Sequence, residues 1–269
     1  MSSSGEQRFL LTNDDGIGTP GFRALYDALS ELGEVVAVAP AEDRSAVGRS
    51  LSTSVTVHEH ELGYAIDGTP ADCTVAGLES LCPDVDMVVA GCNKGANLGA
   101  YVLGRSGTVS AAVEAAFFDV PAIAASLYVP AGTGEDYTDV DVAVDDFREV
   151  AAATRYLAEH APDAGVFEQA DYLNVNAPWP DDDDPAALEV TRPSTLYEMT
   201  AERDGDTIEL LDRVWDRMAA GDVPDPAGTD RRAVVDGDIS VSPLTAPHTT
   251  RHHEALDGLA ETYQPQATQ

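Results

Sequence analysis

The sequence predicts an α/β protein built on a mostly parallel, Rossmann-like sheet with helices on both faces. Short, apolar, β-branched runs recur through the first half of the chain. They alternate with segments of helical periodicity, and turn residues punctuate the boundaries. That alternation is the signature of βαβ units, whose strands are buried on both faces and so read as continuous apolar runs.

Residues 8–12 (RFLLT) read as the first buried strand. Residues 20–32 carry Phe22, Leu25, Leu29 and Leu32 at helical spacing, with Gly33 as the stop. Residues 34–39 (EVVAVA) make a second strand ended by Pro40, and the turn 67–70 (DGTP) leads into a helix running to about Leu81. Residues 86–90 (DMVVA) form a third strand, 107–118 (GTVSAAVEAAFF) a helix and 121–127 (PAIAASL) a fourth strand.

The second half is less regular. Residues 142–160 suit a long amphipathic helix, 171–176 (DYLNVN) a strand, and the aspartate run 181–184 a solvated loop. From about 189 to 244 strands and loops dominate, including TIELLDRVW and AVVDGDISVSPL, and 249–263 reads as a final helix. No solenoid repeat and no low-complexity linker divides the chain. The expectation is a single domain over 1–269: a core of about 8–180 with the terminal helix 249–263, and a β-rich arm at about 187–247.

The formal charge is −33, from 15 basic and 48 acidic residues, and Lys94 is the one lysine. Such a surface repels nucleic-acid backbones and anionic membranes. Dense carboxylates are instead what a protein in concentrated salt shows, because at about 1 M the Debye length falls to about 3 Å and self-repulsion is screened. A halophilic source is expected. Three cysteines, none in a C-x-x-C pair, favour a reducing compartment over a disulfide framework. The sequence offers neither a basic and apolar leader nor a run long enough to span a bilayer, so a cytoplasmic location is expected.

Ligands of open α/β sheets bind beyond the carboxyl ends of the strands. Four segments fall there: 13–16 (NDDG), 40–50, 91–99 (GCNKGANLG) and 105–108 (RSGT). Their carboxylates, amides and hydroxyls form an all-oxygen set suited to a hard cation such as Mg²⁺ or Mn²⁺. Asp14 and Asp15 stand out, since two adjacent carboxylates at a buried strand end repel unless a cation or a proton relieves them. The competing role for Asp14 is to cap the following helix. Ser106 likewise has an ordinary role as a helix cap, and Lys94 as a solvated charge.

Residues 16–21 (GIGTPG) match G-x-G-x-x-G after a strand, and Glu42 and Asp43 supply the acidic partner of a dinucleotide site. An NAD(P)-binding oxidoreductase is therefore a competing reading, and a non-catalytic nucleotide- or metal-binding module is another. Against the first, Asp14 and Asp15 would confront the pyrophosphate with negative charge. None of the six histidines falls in the four loops, and G-x-S-x-G and G-x-x-x-x-G-K-[ST] are absent.

Taken together, LLTNDDGIGTPGFRAL, VVAVAPAEDRSAVGRSLS, IDGTPADC, DMVVAGCNKGANLGAYVLGRSGTVSAAVEAAFFDVPAIAASL, LNVNAP and TDRRAVVDGDISVSPL resemble the SurE (survival protein E) family of metal-dependent 5′-nucleotidases and acid phosphatases. The resemblance implies a three-layer α/β/α sandwich with a β-rich C-terminal arm that helps form homodimers or homotetramers. It implies hydrolysis of nucleoside 5′-monophosphates, with one divalent metal per subunit held by Asp14, Asp15, Ser45 and Asn93. By the same matching, Gly95, Asn97, Ser106, Gly107 and Thr108 surround the substrate phosphate, and Asp14 and Asp15 are catalytic. Two departures stand out. Gly18-Thr19 replaces the family's histidine-alanine and creates the dinucleotide-like pattern, and Arg105 replaces a tyrosine and brings a guanidinium toward the phosphate.

Overall fold

A computed structural model of the chain describes residues 7–130, 137–181, 185–246 and 254. The helix expected at 249–263 and Asp182, Asp183 and Asp184 of the aspartate loop lie outside the described residues, apart from residue 254.

The strands are β1 (Gln7–Thr12), β2 (Gly33–Pro40), β3 (Val57–His60), β4 (Gly63–Ile66), β5 (Met87–Lys94), β6 (Ala122–Leu127), β7 (Tyr172–Ala177), β8 (Leu188–Val190), β9 (Met199–Asp204), β10 (Thr207–Asp212) and β11 (Ile239–Leu244). The helices are α1 (Pro20–Leu29), α2 (Pro70–Ala76), α3 (Ala100–Leu103), α4 (Gly107–Phe117), α5 (Arg148–His160), α6 (Arg213–Ala219) and α7 (Asp230–Val235).

Nine strands form one sheet in the order β3-β4-β2-β1-β5-β6-β7-β11-β8. The central pairs are parallel, while β3 runs antiparallel to β4 and β11 antiparallel to β7. Alternate residues of each strand face opposite layers, as the two-residue side-chain period demands. Phe9, Leu11, Val89, Ile123 and Val175 pack with Phe22 and Leu25 of α1 and Val150 of α5. Leu10, Val88 and Ala124 pack on the other side with Cys73 of α2 and Val109 and Ala112 of α4. The result is a three-layer α/β/α arrangement.

Several boundaries shift. α1 ends at Leu29 rather than Leu32, because Ser30 Oγ donates back to the Tyr26 carbonyl and the chain turns into β2. The helix after the DGTP turn is α2, capped by Thr69, which continues as a π-helical turn at Gly77–Leu81. β5 does not stop at Ala90. It runs on through Gly91 to Lys94, where Asn93 and Lys94 pair with Ser126 and Leu127 of β6 beyond an irregularity. The hairpin β3–β4 was not expected from the sequence. TIELLDRVW is not one strand: β10 ends at Asp212, whose carboxylate accepts from Val214 N–H and so starts α6. In the 187–247 segment, β8 and β11 join the main sheet, and only β9 and β10 form a separate two-stranded sheet.

The chain runs from β1 to β2 on one side and later returns to β5 on the other side of β1. That reversal of strand order opens a crevice at the carboxyl ends of β1 and β5, where ligands bind in such sheets.

Candidate active site

A cavity of about 680 Å³ lies at this edge, and Asp14, Ser45, Asn93, Gly95, Asn97 and Ser106 line it. These are six of the nine residues singled out for the site. An adjoining cleft of about 230 Å³ holds Asp15, and Ser45 lines both.

Asp14 is 3% exposed, at the end of β1. It does not cap α1. Thr19 holds the N-cap position of α1, and Asn13 closes the turn before it: its side chain accepts from Gly16 N–H at 3.2 Å and donates to the Gly16 carbonyl at 2.9 Å. Asp14 instead faces the start of α4, where Thr108 Oγ1 donates to its Oδ1 at 2.5 Å. Gly107 is compelled at its position: a Cβ there would lie 2.8 Å from both Cβ and Oδ2 of Asp14. Gly107 and Thr108 thus stand behind Asp14 and do not line the cavity. In this structure the Thr108 hydroxyl hydrogen is given to the Asp14 carboxylate.

Burial raises the Asp14 pKa against the opposing pull of the Thr108 side chain. Burial, then the neighbouring Asp14 charge, raises that of Asp15 to about 7, although Lys94 N–H donates to Asp15 Oδ2 at 2.8 Å. Both shifts have the same first cause, burial, which penalises the ionised carboxylate; charge repulsion adds to it. The Ser45 loop is tied on by Arg44 N–H, which donates to the Asp14 carbonyl at 2.7 Å, and Ser45 Oγ donates to Asp43 at 2.6 Å. Asn93 Nδ2 donates to the Gly95 carbonyl.

The unspent atoms fit a divalent cation. Among the described residues, Asp15 Oδ1 and Asn93 Oδ1 have no hydrogen-bond partner, the Asp14 carboxylate has lone pairs beyond those Thr108 engages, and Ser45 Oγ keeps lone pairs to offer. All are hard oxygen donors, the set that Mg²⁺ and Mn²⁺ take. No cluster of three or more His, Cys, Asp or Glu exists among the described residues, so such a site depends on the amide and hydroxyl as well as the two carboxylates.

Asn97 is held by partners that sequence reasoning missed. Its N–H donates to Asn176 Oδ1 at 2.7 Å, and its Nδ2 to Ser126 Oγ at 2.9 Å. Its carbonyl accepts from Asn174 and Asn176 side chains at 2.9 and 3.3 Å. The signal was present in LNVNAP, where two asparagines recur at a two-residue spacing on one face of a buried strand. Buried amides must find partners. Ser106 Oγ accepts from Val109 N–H at 3.1 Å as the cap of α4, which leaves its own hydrogen free to donate into the cavity.

Lys94 Nζ donates to the Thr138 carbonyl at 2.7 Å, away from the cavity. Arg105, next to Ser106, is the one basic residue that lines the cavity among the described residues. Within the glycine pattern 16–21, Gly21 has a packing role, since a Cβ there would fall 2.3 Å from the Cys92 carbonyl oxygen where α1 presses on β5, and Gly16 sits at a positive φ of 105° in the turn. His58 and His60 on β3 and His160 on α5 are absent from the cavity wall. His248, His252 and His253 lie outside the described residues. All three cysteines are buried and unpaired.

Comparison with known proteins identifies the family. The profile of "Survival protein SurE" matches residues 9–199. This chain belongs to the SurE family. A relative from Haloarcula marismortui, named 5′-nucleotidase SurE, is 68% identical over 97% of this chain and 96% of its own length. One of the same name from Haloquadratum walsbyi is 66% identical, over 94% and 96% respectively. The solved SurE protein of Aquifex aeolicus matches with a TM-score of 0.76 at 31% identity, covering 90% of this chain and 94% of that one. The two archaeal relatives are halophilic, in keeping with the acidic surface.

Proposed function

We propose that this chain is a 5′-nucleotidase that hydrolyses nucleoside 5′-monophosphates to nucleoside and inorganic phosphate. Relatives of that name at 68% and 66% identity support the activity. The observation that carries the mechanism is the convergence of unspent oxygens from Asp14, Ser45 and Asn93 on one cavity, with Asp15 beside it.

Asp14, Asp15, Ser45 and Asn93 hold one divalent cation, Mg²⁺ or Mn²⁺. When bound, that ion supplies Lewis acidity toward a phosphoryl oxygen and offsets the carboxylate charge. The protein supplies position and hydrogen bonds, which is most of what phosphoryl transfer asks of it. Ser106 Oγ–H and the second N–H of Asn97 Nδ2 donate to phosphoryl oxygens. The Arg105 guanidinium adds positive charge beside Ser106. Water attacks phosphorus, one of the two aspartates accepts its proton, and the bond from phosphorus to the 5′ oxygen breaks. The aspartate passes that proton to the 5′ oxygen, and the nucleoside leaves as the neutral alcohol. Gly95 gives the substrate close backbone access, while Gly107 and Thr108 act by positioning Asp14.

Further parts of this reading are a cytoplasmic location and assembly as a homodimer or homotetramer through the β-rich arm. Ile208, Leu210 and Val190 of that arm are exposed apolar residues that association would cover. No helix among the described residues is long and apolar enough to cross a membrane. No observation favours a dinucleotide: Gly21 of its glycine pattern has the packing role described, and carboxylates occupy the place of the pyrophosphate.

The test is phosphate release from nucleoside 5′-, 3′- and 2′-monophosphates in molar KCl, with EDTA, Mg²⁺ or Mn²⁺. The expected result is release from the 5′ isomers that EDTA abolishes. Release that is indifferent to EDTA overturns the metal assignment, and no release from any substrate overturns the enzyme.

A further inference from the structure

The cavity is much larger than a phosphate and a cation require, and one part of its wall has a different chemistry. There the junction of β10 and α6 contributes Leu211, Asp212, Trp215, Asp216 and Ala219, opposite in kind to the hydroxyls and amides around Asp14. Aromatic and apolar walls with a few placed polar groups are what small-molecule sites use to hold and orient a ligand.

Several residues of this wall are held by named contacts. Tyr101 also lines it, and its hydroxyl donates to Asp212. Its ring is braced by the buried Arg231 guanidinium at 5.3 Å and by Tyr197, edge-on at 5.0 Å. Asp212 is fully engaged, because its other oxygen accepts from Val214 N–H at 3.2 Å. Trp215 is packed from behind by the cluster of Leu98, Val214, Met218 and Val223. Asp216 is different. Among the described residues its carboxylate has no hydrogen-bond or ion-pair partner, although the surrounding wall is tied down.

We infer that this wall is the nucleobase subsite, with Trp215 stacking on the base and Asp216 reading its N–H edge in favour of guanine. The inference rests on the 5′-nucleotidase reading for the placement of the phosphate beside Asp14. A flat indole offers a face to any base, and such stacking contributes roughly tenfold or more in affinity. A carboxylate only accepts hydrogen bonds, and with both oxygens unspent it matches two adjacent donors. Guanine presents such a pair in N1–H and the 2-amino group. Hypoxanthine keeps N1–H but lacks the amino group, and adenine offers one donor site and an acceptor. Asp216 therefore discriminates GMP from IMP by a single hydrogen bond.

The experiment compares wild type, Trp215→Ala and Asp216→Asn, each loaded with Mn²⁺ in molar KCl, on GMP, IMP and ribose 5-phosphate. Trp215→Ala is expected to raise KM for GMP about tenfold or more while leaving kcat/KM for ribose 5-phosphate within about twofold. Asp216→Asn is expected to bring a GMP-to-IMP preference of about fivefold or more close to one, the loss of one charge-assisted hydrogen bond. Equal effects of Trp215→Ala on GMP and ribose 5-phosphate, or none on either, overturn the subsite. An unchanged GMP-to-IMP ratio in Asp216→Asn overturns the guanine reading. A second measurement is independent of turnover: in a Trp179→Phe background, guanosine is expected to quench Trp215 fluorescence, and ribose is not. If no substrate releases phosphate, the hydrolytic reading falls and the quenching by guanosine alone decides the wall; no quenching overturns it.

Discussion

In β6 all six residues are buried, and in β1 every residue from Phe9 to Thr12 is; in β9 and β10 not one is. Both regions contribute lining to one cavity. The central strands deliver Asp14, Asn93 and the Asn97 network from a close-packed interior, where each of these residues has at least one hydrogen-bond partner. The hairpin β9–β10 pairs only with itself and leads directly into α6, which carries Trp215 and Asp216. The difference teaches a division of labour: the interior sets the reaction and tolerates little change, while the arm sets what is attached to the phosphate.

The largest effect that division predicts is at Asp14. Asp14→Asn keeps the shape and an acceptor for Thr108 but removes the charge from the buried end of β1. Activity is expected to fall by at least about 100-fold, as loss of metal support does. Stability should not fall with it. Burial penalises the charged form of Asp14, so a neutral amide relieves a cost and the metal-free variant melts at or above the wild-type temperature. Parallel kinetics and thermal melts in EDTA check both halves. Asp216→Asn in the arm serves as the contrast, since it is expected to retain its rate on ribose 5-phosphate. An Asp14→Asn variant that loses stability and activity together would make Asp14 a structural residue and erase the distinction.

Much of the interior was legible in the sequence for the same reason that it is sensitive. A strand buried on both faces must be continuously apolar, so RFLLT, EVVAVA and PAIAASL show themselves, and the charged pair Asp14–Asp15 at such a strand's end is conspicuous. The strand DMVVA was cut short because GCNK looks like a loop; its pairing with β6 depends on long-range contacts that local pattern does not carry. The Thr108 contact with Asp14 spans 94 residues and has no local signature. In the arm, exposure removes the constraint that makes strands readable. β10 and α6 merged into one expected strand because the break at Asp212 is a capping contact rather than a change in hydropathy. Trp215 and Tyr101 then went unnoticed as cavity residues, since an aromatic in an irregular segment says nothing about which face of the fold it will reach.

A smaller effect separates the regions by pH. Burial and mutual repulsion hold the Asp15 carboxyl near 7 in the folded, metal-free chain against 3.8 as its ordinary value. Between those values the folded state binds more protons than the unfolded one, so stability is greatest at the acid end and is lost as pH rises toward 7. Thermal melts in EDTA and molar KCl should therefore decline by several degrees over that window. Saturating Mn²⁺ should flatten the decline, because the cation favours the ionised carboxylates and binds only the folded site. A decline of equal size with and without Mn²⁺ would place its origin outside the site.

The smallest effect is expected where the sequence is most apolar for its exposure. Ile208 and Leu210 in β10 are 58% and 72% exposed, and a lone two-stranded sheet gains little from them within one chain. Ile208→Ser and Leu210→Ser should each change the unfolding free energy of the subunit by no more than about 0.5 kcal/mol, the usual range for surface positions. Denaturant melts at several protein concentrations separate that term from association, which makes apparent stability depend on concentration. If the arm binds a second copy, both variants weaken the concentration dependence and leave the dilute limit unchanged. Turnover of ribose 5-phosphate also stays unchanged, because no residue around Asp14 depends on β10. A loss of several kcal/mol in the dilute limit would mean that the hairpin supports the interior of its own subunit. The aromatic wall would then be as constrained as the phosphate site, and substitutions at Trp215 and Asp216 would no longer act on the base alone.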